Sequence, residues 1–426
     1  MQIKKLVFSF LCFSYIACAE THSSWVDLNL SPYVGGENLL MIQKGIERME
    51  DYAFASKDNL SLKLPDLNSP PPGYWERYFA QWLIWLPVNC SCCVTQHEIF
   101  GHGYRVRDLG DEYATVLGYK MYVLAGATNF EFTSKLTSSQ YLSIVVAGIE
   151  ANDVMTQQMR LKWLNNGFLD PRQFGLYVAN ALSLTQYTLV DDPPEQNPAT
   201  SGNDVVSFLH YLKTTYPDTS LDQTKVRNIT LVNLLDPFIY FSLASSYQYV
   251  QTGRPMKIPM FQIGPVRYLP SARVSMTPFG LEGFSEHFFL VNDSAPTYVY
   301  MKWGKNGANT YSGIGARNEA LFRNQIGSLG FRMDFWHEPE VLFEQGLLSA
   351  EEIMQLPRGA EIPQLYPDAV LRKKKFGGAI SLIGAYGKES WPARVLLELG
   401  YKSAGYLPGE ALRASPIVRG GFSAAF

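Results

Sequence analysis

Two histidines and a glutamate lie close together at the end of an apolar segment of the chain. His97, Glu98 and His102 belong to the stretch CCVTQHEIFGHG, and the chain has only six histidines among its 426 residues. Neutral imidazoles are good ligands for Zn²⁺, an open coordination position on the ion holds water, and a nearby carboxylate can accept a proton from that water. These residue types predict a zinc site in which His97 and His102 are ligands and Glu98 is the catalytic base.

The spacing of the two histidines differs from the common zinc-binding pattern H-E-x-x-H, in which they are four residues apart. Here they are five residues apart, which separates them by about 140° around a regular α-helix. A single π-type turn would align them, and so would an unwinding at Gly101 and Gly103. The predicted site therefore requires a local departure from α-helical geometry.

The H-E-x-x-x-H pattern of residues 97–103 resembles the motif of the TldD-type metallopeptidases, in which two histidines bind zinc and a glutamate is catalytic. The resemblance implies that His97 and His102 bind zinc and that Glu98 is the general base. It covers only seven residues, so it implies nothing about the fold or the substrate.

A third metal ligand must come from another segment. Glu150 follows the uncharged run 141–149, where burial of a carboxylate is costly unless it meets a cation or a metal. Glu150 and Asp153 resemble the second helix of the gluzincins, in which a glutamate binds the metal and a following aspartate orients a ligand histidine. Glu150 is thus the predicted third ligand, and Asp108 and Asp236 are the alternatives.

The same residues also have a purely structural interpretation. The two histidines can be hydrogen-bonded core residues, Glu98 can pair with His102 one turn later, and Glu150 can pair with Arg105 or Arg107. The neighbouring residues Cys90, Cys92 and Cys93 are interpreted as small buried helix residues, with a thiolate-rich metal site as the alternative.

The motif lies in a part of the chain whose patterns are typical of helices. Apolar residues recur at three- and four-residue spacing, which predicts a mostly α-helical domain over residues 20–254. From residue 255 to residue 426, frequent turn signals and alternating side-chain character predict an antiparallel β-barrel of about eight strands. The predicted fold class is α+β. The predicted helical segments are 74–104, 138–165, 171–190, 203–214 and 228–251.

The last residues of the chain carry a more specific signal. Val418, Gly420, Phe422, Ala424 and Phe426 share one face of a predicted strand. This arrangement resembles the aromatic-terminated closing strand of bacterial outer-membrane β-barrels. The resemblance implies insertion into the outer membrane of a Gram-negative bacterium, with outer-membrane lipid as a partner. A soluble antiparallel sheet domain, and a periplasmic location, remain the alternatives.

The first 19 residues have the features of a signal peptide. Lys4 and Lys5 precede the apolar stretch 6–17, which ends in the small-residue site Ala17-Cys18-Ala19. The sequence therefore predicts an exported protein.

Composition limits the classes of partner. Thirty-six basic and 39 acidic residues give a net charge of −3, and a protein that binds nucleic acid usually has an excess of basic residues. The predicted function is an exported zinc-dependent hydrolase, a metallopeptidase tethered to the outer membrane that acts on a peptide or cell-envelope substrate. The alternative is a non-enzymatic outer-membrane barrel protein with a structural helical domain.

Overall fold

The protein is described here by a computed structural model of the whole chain. The predicted signal peptide and the terminal Phe426 lie outside the described residues. The described residues are 21–58, 73–133, 136–190, 202–291, 294–344, 346–356, 364–388, 391 and 393–425.

Helices dominate the chain up to residue 252. Two short π-helical turns, Gln81–Trp85 and Glu98–His102, interrupt the helical run that begins at Tyr74, and a 3₁₀ turn, Leu231–Leu235, follows α9. The helices are α1 (Pro32–Asp58), α2 (Tyr74–Ala80), α3 (Leu86–His97), α4 (Gly103–Leu109), α5 (Ser138–Asn166), α6 (Phe174–Ala181), α7 (Ser183–Leu189), α8 (Asp204–Thr215), α9 (Gln223–Thr230), α10 (Pro237–Thr252), α11 (Ala350–Gln355) and α12 (Asp368–Leu371).

Strands dominate the rest. A hairpin, β2 and β3, lies between α4 and α5, and the short strands β4 and β5 pair with each other. The strands are β1 (Thr21–Val26), β2 (Ala114–Met121), β3 (Gly126–Phe132), β4 (Phe168–Leu169), β5 (Met256–Lys257), β6 (Phe261–Ile263), β7 (Val266–Thr277), β8 (Gly280–Val291), β9 (Thr297–Asn306), β10 (Asn309–Asn324), β11 (Gly327–Pro339), β12 (Lys374–Tyr386), β13 (Ala393–Lys402) and β14 (Ser415–Ala425).

The α+β class with a helical N-terminal region is observed, but the prediction of a closed barrel of about eight strands is wrong. The main sheet has ten antiparallel strands in the order β1-β14-β13-β12-β11-β10-β9-β8-β7-β6, and β1 and β6 at its two ends do not pair with each other. One of these strands, β1, comes from the N-terminal part of the sequence and pairs with β14 at the other end of the chain. The sheet is therefore open.

Asparagine side chains from helices satisfy backbone groups along the two edges of this sheet. The amide of Asn38 in α1 accepts from the N–H of Trp25 and donates to its C=O, both at 2.9 Å. At the opposite edge, Asn233 accepts from the N–H of Val274 at 2.6 Å and donates to its C=O at 3.2 Å. Each side chain makes the two hydrogen bonds that a neighbouring strand would make, so the sheet can end without closing on itself.

The helix α5 runs through the middle of the molecule and positions the site. It begins with a capping box in which Thr137 and Gln140 each bond the backbone N–H of the other. Almost all its residues are buried, because it packs against α1, α3, α4 and α8 as well as against β7. A helix surrounded in this way has no solvent-facing stripe, which explains its long run without charged residues.

No single helix among the described residues has both the length and the apolar character needed to cross a bilayer. A bent pair, Gln223–Leu235 and Pro237–Thr252, meets these requirements only when its two halves are taken together.

Candidate metal centre

A π-helical turn carries the H-E-x-x-x-H motif. The turn spans Glu98–His102, directly between α3 and α4. Because residues five apart align in a π-helix, His97 and His102 project to the same side, and their Nε2 atoms lie 3.2 Å apart. Of the two geometries that the spacing allows, the structure has the π-type turn.

A carboxylate from a distant segment completes the group. Oδ2 of Asp204, the first residue of α8, lies 3.0 Å from Nε2 of His97 and 3.3 Å from Nε2 of His102. All three side chains are largely shielded from solvent. Within the described ranges of the chain, this is the one group of histidine, cysteine and acidic side chains arranged so that it could hold a metal ion.

Two partners in α5 orient the imidazole rings. Nδ1 of His102 lies 2.7 Å from the carbonyl oxygen of Ile144, which fixes the proton on Nδ1. Nδ2 of Asn152 lies 3.2 Å from Nδ1 of His97, and Oδ1 of the same amide has no hydrogen-bond partner among the described residues. In this orientation the amide donates to Nδ1, which places the proton of a neutral His97 on Nε2, toward Asp204. A 180° turn of the amide would make Oδ1 the acceptor of an Nδ1 proton and would free the Nε2 lone pair of His97 for a cation.

Three nitrogen and oxygen atoms that converge in this way need a hydrogen-bonding proton or a positive charge between them. Oδ2 of Asp204 is buried, and the two Nε2 atoms lie within hydrogen-bonding range of it. Burial lowers the pKa of His102, but the charge and the hydrogen bond of Asp204 outweigh that effect and raise the pKa to about 9. Despite burial, the two histidines hold the pKa of Asp204 well below its usual range. The charge can be supplied by a proton or by a cation.

Two glycines allow the π turn to pack closely against α5. A Cβ atom on Gly148 would lie 2.4 Å from Nε2 of His97 and 2.7 Å from Nε2 of His102. A Cβ atom on Gly101 would lie 2.6 Å from the carbonyl oxygen of Ala147. The absence of side chains at these two positions therefore makes the space in which the imidazoles meet.

The carboxylate of Glu98 lies beside this group, under the β2–β3 hairpin. The hydroxyl of Thr128 in β3 donates to Oε2 of Glu98 at 2.8 Å and lies 2.9 Å from its backbone carbonyl. The backbone of Gly126 comes close enough that a Cβ atom there would lie 2.6 Å from Cγ of Glu98. The hairpin thus holds a buried carboxylate next to the two histidines.

A tyrosine completes the surroundings of His97. The ring of Tyr187 in α7 stacks on that of His97, with centroids 5.6 Å apart, and its hydroxyl lies 3.2 Å from Nε2. Burial and the negative charges of Asp204 and Glu98 raise the pKa of Tyr187 well above its usual value. Its hydroxyl therefore keeps its proton and is a hydrogen-bond donor.

The structure does not bring Glu150, the predicted third ligand, into this group. Its two oxygens accept hydrogen bonds of 2.7 and 3.0 Å from Nη2 of Arg105, and one of them also accepts from the backbone N–H of Gly409. The cation that offsets its burial is an arginine, which is the structural interpretation considered for this residue. The carboxylate that lies beside the two histidines is that of Asp204.

The other candidates from the sequence have partners elsewhere. Asp153 pairs with Arg273 at 2.9 Å, Asp236 pairs with Arg160 at 2.7 Å, and Asp108 pairs with Arg105 at 2.8 Å. None of these three carboxylates belongs to the histidine group among the described residues. Cys90, Cys92 and Cys93 are free cysteines in α3, and burial raises the pKa of each thiol, which disfavours the thiolate that a metal would need.

The sequence signal for Asp204 was present but indistinct. The residue follows a segment rich in proline and polar residues and opens a predicted helix, where an aspartate is expected for helix stability alone. Tyr187, Asn152 and Thr128 were not candidates either, because nothing in their local sequence separates them from other buried polar residues.

Comparison with protein families, with characterised proteins and with solved structures gave no match to this chain.

Proposed function

We propose that the protein is a zinc-dependent hydrolase, and that its preferred reaction is hydrolysis of a peptide bond. The observation that carries the proposal is the convergence of two imidazole nitrogens and one carboxylate oxygen at separations of 3.0 to 3.3 Å. In a tetrahedral zinc site with bonds of 2.0–2.1 Å, neighbouring ligand atoms are about 3.3 Å apart. The three atoms are therefore spaced as zinc ligands are.

The donor set also suits a catalytic rather than a structural ion. Two histidines and one carboxylate leave a fourth tetrahedral position for water, whereas structural zinc sites usually have four protein ligands. The contacts of Nδ1 of His102 with the carbonyl oxygen of Ile144, and of Nδ1 of His97 with the amide of Asn152, are of the kind that fixes ligand orientation. When bound, zinc lowers the pKa of its water and polarises a carbonyl oxygen.

The remaining residues have roles that follow from their positions. Glu98 accepts a proton from the attacking water and returns it to the leaving amine, and the hydrogen bond from Thr128 fixes the orientation of its carboxylate. Tyr187 keeps its proton and donates a hydrogen bond to the oxyanion that forms on the substrate. An ester or amide of lipid or cell-wall material fits the same chemistry, so the substrate test includes these classes.

Metal content is the first test of this proposal. Elemental mass spectrometry of the full-length protein, prepared without chelator and supplied with zinc, is expected to give about one zinc per chain. His97→Ala and Asp204→Ala are expected to lose the metal, whereas His337→Ala, which changes a histidine in β11, is expected to retain it. Zinc-free protein, or equal zinc in all four proteins, would contradict the proposal.

Activity is the second test. Glu98→Gln is expected to retain zinc but to lose about 100-fold or more in kcat on fluorescence-quenched peptides, because it removes the base. Glu131→Gln is the matched control, because Glu131 is an exposed glutamate on β3 of the same hairpin. If wild type and Glu98→Gln are indistinguishable on peptides, esters and cell-wall amides alike, the group is a buried ion pair and the protein is not this hydrolase.

A further inference from the structure

Several strands of the main sheet have the reverse of the polarity expected in a water-soluble protein. Along β13, the outward side chains of Val395, Leu397 and Leu399 are 61%, 45% and 49% exposed, whereas the inward Glu398 and Lys402 are 6% and 0% exposed. A soluble sheet buries its apolar face and exposes its polar one. In β13, the apolar face is outside and the charged face is inside.

The neighbouring strands repeat this pattern. In β11, Arg332 and Asp334 point inward and are buried, while Phe335 points outward and is 54% exposed. Large exposed apolar side chains occupy outward positions on strands from β9 to β14. Examples are Met301, Trp303, Ile314, Phe335, Leu382 and Phe422.

The inward charges are paired with one another and with the helices that the sheet surrounds. Glu286 of β8 bonds to Arg160 of α5, and Arg273 of β7 bonds to Asp153 of the same helix. At the other end of the sheet, Arg419 of β14 lies over the ring of Tyr33 in α1 at 4.7 Å. The sheet therefore encloses paired charges together with apolar side chains such as Phe284 and Phe288, and from β9 to β14 its outer face is apolar.

Three helical segments continue the outer surface between the two sheet edges. Asn38 joins α1 to the β1 edge, and Asn233 joins the segment before α10 to the β7 edge. The segment α2 with its π turn connects these two, because Trp85 donates to Glu50 of α1 and Arg77 donates to the carbonyl oxygen of Val250 in α10. The outward side chains of these helices are again apolar. Examples are Ile42, Met49, Trp75, Trp82, Leu243 and Tyr247.

The height of this surface is close to that of a bilayer interior. The outward residues Val395 to Tyr401 span six residue steps, or about 20 Å at roughly 3.3 Å per residue. The apolar bands of outer-membrane proteins are about 25 Å tall. Polar turns follow at both ends of the strands, with Lys305 and Asn306 at one end and Arg323 and Asn324 at the other.

We propose that the outer face of the sheet, together with the outer faces of α1, α2 and α10, is a belt that contacts the acyl chains of a lipid bilayer. A bilayer fits this belt better than a protein partner does, because the apolar surface continues across both sheet edges and the helices between them. A typical protein partner covers only about 800 Å² on one side of a molecule. The hydrogen bonds of Asn38 and Asn233 to the backbone of Trp25 and Val274 fit the same environment, because lipid offers no hydrogen bonds to backbone groups. This inference does not depend on the metal site.

Quenching by brominated lipids tests the belt. The full-length protein, with its native cysteines replaced by alanine, is labelled with an environment-sensitive fluorophore at Met301→Cys, at Leu397→Cys or at Lys305→Cys, and is reconstituted into phosphatidylcholine vesicles. Lys305 is the matched control, because it lies on the same strand as Met301 but at the polar end. All three positions are exposed, so the label does not disturb the core.

The proposal predicts a difference among the three positions. Labels at positions 301 and 397 are expected to lose most of their fluorescence when the vesicles contain dibromo-acyl phosphatidylcholine, and the label at position 305 is expected to lose little. Equal quenching at the three positions, or no quenching at any of them, would contradict the proposal that this surface contacts lipid. A dimer that forms without detergent and protects positions 301 and 397 from a water-soluble quencher would also contradict the proposal. The apolar surface would then be covered by a second copy of the chain and not by lipid.

Discussion

Nε2 of His97 and Nε2 of His102 lie 3.2 Å apart, although a regular helix would turn the two residues away from each other. The π turn at Glu98–His102 supplies the missing rotation, and π turns inside helices are frequent at functional sites. The neighbouring α5 provides the space, because it has a glycine where the two rings meet. The motif and the helix beneath it therefore have to be considered as one unit.

The first prediction concerns that glycine. Gly148→Ala places a methyl group 2.4 Å from Nε2 of His97, so the imidazoles must move apart. We expect zinc affinity to fall about 10- to 100-fold, the scale seen when groups that orient ligands are changed. The overpacking is expected to lower the free energy of unfolding by about 1–3 kcal/mol. Competition with a fluorescent zinc chelator measures the affinity.

The control for this change is Gly45→Ala in α1. A Cβ atom at Gly45 meets no atom within 4 Å, so the substitution changes the helix backbone without touching the site. It is expected to leave zinc affinity unchanged and to stabilise the helix by about 0.5–1 kcal/mol. Equal zinc affinity in the two variants would show that Gly148 does not shape the metal centre.

The second prediction separates Tyr187 from the metal ligands. Tyr187→Phe removes only the hydroxyl that lies 3.2 Å from Nε2 of His97 and leaves the stacked ring in place. We expect one zinc per chain to be retained, KM to change little and kcat to fall about 100- to 1000-fold, as for loss of an oxyanion donor. The matched variant Tyr247→Phe alters an exposed tyrosine of α10 and is expected to behave as wild type. If Tyr187→Phe loses zinc instead, the hydroxyl belongs to the coordination sphere.

The third prediction distinguishes a structural carboxylate from a ligand. Glu150→Gln leaves Arg105 buried without its full countercharge and is expected to destabilise the protein by about 3 kcal/mol or more. The folded fraction is expected to bind zinc as wild type does. Asp204→Asn is expected to show the reverse pattern, with zinc lost and the fold retained. Denaturant unfolding and metal analysis on the same samples give both quantities, and loss of zinc from folded Glu150→Gln would restore Glu150 as a ligand.

The contrast between Glu150 and Asp204 shows what the sequence could and could not reveal about the site. The sequence indicated that a buried carboxylate at position 150 needs a positive partner, and it named Arg105 as one alternative. It could not decide between a metal and an arginine, because that choice depends on which side of α5 faces α4. Asp204 is 102 residues from His102 along the chain, so only the folded structure brings it to the site.

The sheet illustrates the same limit at the level of the fold. The alternating side-chain character of residues 255–426 predicted strands with two different faces, and in β13 the inward face carries Glu398 and Lys402. Closure of the sheet into a barrel was wrongly inferred. An alternating pattern shows which side chains share a face, but it does not show where the backbone groups of the edge strands find hydrogen-bond partners. Asn38 and Asn233 perform that function from helices, and an asparagine in a helix gives no sign of such a role in the sequence.

The fourth prediction uses the pKa of His102 to distinguish a proton from a metal at the centre. In the metal-free protein, burial is outweighed by the attraction of Asp204, which raises the pKa from 6.5 to about 9. A pKa raised on folding means that the charged form stabilises the fold. This stabilisation is complete below pH 6.5 and is lost as the pH rises through about 9. Zinc must displace the same proton, so its affinity is expected to increase over that range, by up to about tenfold per pH unit.

Thermal unfolding between about pH 6 and about pH 9, with chelator and with excess zinc, measures both trends. We expect the melting temperature of the metal-free protein to fall with increasing pH, and the increment in melting temperature caused by zinc to grow. His102→Gln removes the titrating group and is expected to flatten the first trend and abolish the second. A zinc increment that is constant with pH would mean that His102 carries no second proton, on Nε2, in the metal-free protein.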